Sequence, residues 1–95
     1  MNPLREEYFR SLTEEEIMQL TYRDFLKSEL EEILDELIIP KRIREEAKLY
    51  FIECKTIEEV SDILGIDRKT CSKHRAKLSY AIKKTLLKKF PRKSK

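Results

Sequence analysis

The side chains in this chain best suited to chemistry are hydrogen-bond donors rather than catalysts. Arg68, Lys69, Ser72, Lys73 and Ala76 crowd into one short stretch. With Cys71 taken as inward and about 100° allowed per residue, Lys69, Ser72, Lys73 and Ala76 turn outward together. Lysine and arginine donate to N7 and O6 of guanine, and serine and alanine admit close approach to a base edge. A helix bearing this set could read bases. Around it, Thr56, Thr70, Lys77, Lys83 and Lys84, with Lys41 and Arg42 further upstream, are hydroxyls and cations fit for phosphate oxygens. Such contacts fix position and make affinity fall with salt.

The neighbours of this face read differently. His74 lies about 60° from the inward direction, where a histidine packs between helices or touches phosphate. Arg75 leans toward the interior and is expected to lay its stem along the core. Tyr80 and Leu87 are expected exposed, a candidate seam for a partner. Glu14, Glu15 and Glu16 are consecutive at a helix start, where negative charge favours the macrodipole, so they are structural and not a catalytic pair. No serine or cysteine has a histidine and an orienting acid in a recognisable arrangement. Cys54 and Cys71, with a single histidine in the chain, are too few for a zinc site or a disulfide scaffold, and both read as reduced packing residues. The expectation is no enzyme, no metal and no cofactor.

The elements that must carry these residues are helices. One glycine in 95 residues argues against hairpins and phosphate-cradling loops, which need positive φ at several turns. Thr13 with Glu16, Thr21 with Asp24 and Thr56 with Glu59 have the spacing of capping boxes, each marking a helix start. A short helix is expected to end near Leu20, and a longer one to run from about Thr21 to Leu37 with Tyr22, Phe25, Leu26, Leu30, Ile33, Leu34 and Leu37 as an apolar stripe for another helix. Pro3 to Arg10 is expected to form a first, shorter helix. Pro40 sets a boundary at Ile38 to Pro40. Beyond it, Ile43, Ala47, Tyr50, Phe51 and Cys54 mark a supporting helix. Val60, Ile63 and Leu64 are expected on the inner side of the helix from Thr56, which Gly65 stops. Asp67 caps a last helix running to about Lys89, with Cys71, His74, Leu78, Ala81, Ile82 and Leu86 in its inner arc.

Charge divides the chain. Residues 1–36 carry a net −7, residues 37–64 a net −1, and residues 65–95 a net +11. One end seeks polyanions and the other repels them. The longest apolar run is Leu37, Ile38 and Ile39, so neither a signal peptide nor a membrane span is expected, and the cytoplasm is the expected location.

From Thr56 to His74 the stretch has the parts of a helix-turn-helix: small Ser61 where helices approach, Gly65 in the turn, and Val60, Leu64, Ile66 and Cys71 facing in. With Ile39-Pro40 opening it, Glu46 to Cys54 as support, and Thr70 to Arg75 starting the second helix, residues 39–90 resemble region 4 of bacterial sigma-70 factors. The segment is also similar to the DNA-binding domain of LuxR-type response regulators. Residues 1–38 match no part of either family. The resemblance implies an all-α fold, a helix-turn-helix bundle of the sigma region 4 type with an N-terminal acidic helical extension. The expected division is 1–38 as extension, 39–90 as DNA-binding domain, and 91–95 as a basic disordered tail. The expected function is a sequence-specific transcriptional regulator, of a size that suits a phage or mobile element, placing helix 68–89 in the major groove. Its partners would be double-stranded DNA, with RNA polymerase and a homodimer through residues 13–38 as further candidates. Two alternatives stay open: a sigma-like accessory subunit of RNA polymerase, and a protein adaptor that no longer reads DNA.

Overall fold

Residues 5–91 are described in the structure, a computed structural model. They form α1 (Glu6–Arg10), α2 (Glu14–Met18), a 3₁₀ turn over Tyr22–Asp24, α3 (Lys27–Glu36), α4 (Lys41–Phe51), α5 (Ile57–Leu64) and α6 (Arg68–Lys89). There is no strand among the described residues, so the all-α expectation holds. The expectations for Pro3 and Leu4 and for the tail at residues 92–95 fall outside the described residues.

Local chemistry explains the boundaries. All three capping boxes form: Thr13, Thr21 and Thr56 each receive a backbone N–H on the hydroxyl, while Glu16, Asp24 and Glu59 reach back to the threonine amides at 2.8 Å. These bonds satisfy donors that the first helical turn leaves orphaned. Pro40 stands immediately before α4, and its carbonyl accepts the Arg44 amide at 3.0 Å. Arg44 in turn donates to the carbonyls of Leu34 and Leu37, closing the C-terminal end of α3.

The expected helix from Thr21 to Leu37 is instead broken. Phe25 and Leu26 are extended, and α3 begins only at Lys27. The cause is Glu29, whose fully buried carboxylate accepts the Leu26 amide at 2.8 Å and the Arg5 amide and guanidinium at 2.7–3.1 Å. One carboxylate thus caps α3 and ties the start of the described chain to it. Burial raises the Glu29 pKa, but the hydrogen bonds from Arg5 and Leu26 outweigh it and hold the carboxyl below its ordinary range.

A single hydrophobic core draws on both halves of the chain. Phe9, Ile17, Leu20, Leu30, Ile33 and Leu34 pack with Ala47, Tyr50, Val60, Cys71, Leu78, Ile82 and Leu86. Phe90, just beyond α6, stacks on Phe9 with ring centroids 6.1 Å apart. The acidic front segment is therefore not a separate lobe. Most of its stripe, expected to serve another helix, is spent on α4 and α6 of the same chain, while Leu26 stays 50% exposed. No helix among the described residues is long and apolar enough to cross a membrane.

Three further expectations need correction. Ile63 and Leu64 do not face in: they are 55% and 36% exposed, and Val60 is the buried residue of α5. Cys54 is exposed rather than packed, in a left-handed conformation at φ 59° in the α4–α5 loop. Leu87 is partly buried against the core, so Tyr80 alone of the expected seam is exposed.

Candidate nucleic-acid interface

The α5–α6 junction is a tight turn. Gly65 adopts φ 67°, its amide bonds the Ser61 carbonyl at 2.8 Å, and the Ile66 amide bonds the same carbonyl at 3.2 Å. The Ser61 hydroxyl donates to the Ile66 carbonyl. Small Ser61 thus serves the turn with its side chain as well as with its size. Asp67 then caps α6 through the Lys69 amide at 2.9 Å. Val60 and Cys71, both fully buried, close the two helices on each other.

The outward side of the first turns of α6 follows from this. Lys69, Ser72, Lys73 and Ala76 are all exposed, and neither lysine has an ion pair or hydrogen bond from its side chain among the described residues. Arg68 is set differently. It points along α5, 3.4 Å from Glu58, in a pair more than half exposed on both sides. Such a pair contributes little and exchanges easily for another anion.

The phosphate candidates scatter. Thr56, Lys77 and Lys84 are exposed and Thr70 half-buried. Thr56 accepts the Glu59 amide, leaving its own hydroxyl proton to donate. Lys84 sits over the Tyr80 ring at 5.8 Å. Lys83 is taken internally: its ammonium donates to the Met18 carbonyl at 2.9 Å, closing the end of α2. Lys41 and Arg42 are exposed on the first turn of α4, about 15 Å along that helix from its junction with α5.

A buried polar network holds α6 to α4 directly beneath this face. The Glu46 carboxylate, 1% exposed, receives the Tyr50 hydroxyl and lies 3.0 Å from His74 Nδ1 through both oxygens. Tyr50 Oη is also 3.1 Å from the Cys71 carbonyl. Burial first, and then the Glu46 carboxylate, push the Tyr50 phenol far above its ordinary pKa. His74 is thus a packing residue that positions the helix, with its ring partly turned to solvent.

Between α6 and the front segment runs a cleft of about 800 Å³. Its walls are Leu20, Thr21 and Tyr22; Tyr50 to Glu58 in part, including Cys54, Lys55, Thr56 and Glu58 itself; and Ser72, Arg75, Ala76, Ser79 and Lys83 of α6. Arg75 therefore does not lie along the core as expected, but stands exposed in this cleft. Lys55, Ser79 and Thr21 were not legible as site residues, because they meet only through the packing of the front segment against α6. Comparison with known proteins finds no matching family model, no matching curated protein and no matching solved structure.

Proposed function

We propose that the chain is a duplex-DNA-binding transcriptional regulator of the helix-turn-helix type, inserting the first three turns of α6 into the major groove. The carrying observation is the exposed face of Lys69, Ser72, Lys73 and Ala76, whose two lysines have no side-chain partners among the described residues, held just past the Gly65 turn. A helix about 10–12 Å across suits a groove about 12 Å wide. Lys69 and Lys73 would donate to guanine edges, and Ser72 and Ala76 would admit close approach. Arg68 would leave Glu58 for a base or phosphate. The second half of α6 serves a different end, because Leu78, Ile82 and Leu86 anchor it in the core. The resemblance of residues 39–90 to sigma region 4 makes RNA polymerase the protein partner to test first.

The test is anisotropy of a labelled duplex titrated at several salt concentrations. Lys69→Ala with Lys73→Ala should weaken binding to a preferred duplex at least tenfold and narrow its preference over a scrambled duplex. Unchanged affinity and preference in the double variant would reject the model.

The adaptor reading also has a specific observation behind it. Ile63 and Leu64 stand exposed on α5 beside Glu59 and Asp62, a small apolar patch with an acidic edge. Elution of the chain from duplex DNA at low salt would favour that reading.

A further inference from the structure

The cleft beside α6 has more positive charge than the base-reading face needs. Lys55 and Arg75 enter it with no ion pair among the described residues, and together with Lys83 they outnumber the one acid on its wall, Glu58, whether or not Arg68 stays paired with it. Hydroxyls of Thr21 and Ser79 lie among them. The Thr21 hydroxyl is taken by the Asp24 carboxylate at 3.3 Å, so Lys55, Arg75 and Ser79 are the donors left for a ligand; set among Leu20, Tyr22, Phe51 and Ile57, they suit a sugar-phosphate strand, which offers anionic oxygens beside apolar sugar faces.

The cleft is also continuous with the proposed DNA face, since Ser72 and Ala76 line both. Along α6 it extends from Ser72 to Lys83, about 16 Å at 1.5 Å per residue. That length spans several phosphates of one strand, which recur about every 3.4 Å of duplex axis. A helix seated in the major groove has a sugar-phosphate strand on each flank, and this cleft occupies one of them.

We infer that the cleft is the seat of one DNA strand, with Arg75 and Lys55 as phosphate-contacting residues and the Leu20–Tyr22 turn as its outer wall. The acidic front segment then takes part in DNA binding through this turn, with the Asp24 carboxylate bonded to Thr21 at its edge. This inference rests on the duplex-binding reading, and its test separates the two.

Cys54 lies in the same cleft and is an exposed free thiol, whereas Cys71 is buried. Alkylation of the full chain by N-ethylmaleimide, with and without a mixed-sequence duplex of about twenty base pairs at low salt, therefore reports occupancy without any substitution. Cys54 should react several-fold more slowly on saturating duplex and recover its rate at high salt. In parallel, Arg75→Ala should weaken duplex binding about three- to tenfold, equally for all sequences, and lower the salt slope by about one, while Arg75→Lys restores most of it. Undiminished Cys54 reactivity on bound duplex, with Arg75→Ala neutral and Lys73→Ala still damaging, would overturn the strand seat and leave the groove reading intact. Protection by inorganic phosphate but not by duplex would assign the cleft to a small anion and overturn it equally. Absence of duplex binding by the unaltered chain would end both.

Discussion

Replacing Glu46 tests whether a buried polar link fixes the pose of α6. The carboxylate is 1% exposed, holds His74 Nδ1 at 3.0 Å and receives the Tyr50 hydroxyl. Hydrogen bonds to a charged group contribute about 1.5–3 kcal/mol each. Relief of the carboxylate's own desolvation offsets part of that loss. Tyr50 retains the Cys71 carbonyl at 3.1 Å, and the half-buried His74 regains water, so neither is left fully unsatisfied. Glu46→Ala should then cost about 2–4 kcal/mol, a fall in Tm of roughly 10–30 °C for a domain of this size. Glu46→Gln keeps an acceptor and should cost about half as much. In urea unfolding followed by circular dichroism, the double-mutant cycle of Glu46→Ala with His74→Ala should show a coupling of about 1–2 kcal/mol. A cost of Glu46→Ala below about 0.5 kcal/mol, or strict additivity with His74→Ala, would refute the link.

Gly65→Ala should destabilise by about 1 kcal/mol, measured by the same unfolding titration, because a side chain at φ 67° is strained even though nothing lies within 4 Å of its Cβ. Glu29 has a folded pKa below its unfolded value, so its stabilisation is present above the ordinary carboxylate range and lost as pH falls through the lower folded value. Tm measured against pH should accordingly show a flatter acid limb in Glu29→Gln. Tyr50 has the opposite sign: its folded pKa is raised, so its contribution is complete below about pH 10 and declines as pH rises further. Tyr50→Phe should flatten the alkaline limb of the same profile.

Much of the fold is written locally. Three threonines with an acid three residues on, a proline at the start of α4 and a lone glycine at its turn each satisfy or end a particular set of backbone groups. Those effects act over four residues or fewer, so a linear reading captures them. The same holds for the outward arc of Lys69, Ser72, Lys73 and Ala76, which depends only on helical repeat once Cys71 is known to face inward.

The rest depended on distant partners. Glu29 breaks the anticipated helix because Arg5 and Leu26 meet on one carboxylate. Lys83 leaves the phosphate set because α2 ends beside it. Arg75 joins a cleft because the Leu20–Tyr22 turn folds against α6 and forms its far wall. Residue types and periodicity determined the helices, their caps and the direction of the basic face, since these follow from bonds and angles within a few turns. Only tertiary packing decided which cations remain available and what stands opposite them, because both depend on residues far apart in the chain arriving at one place.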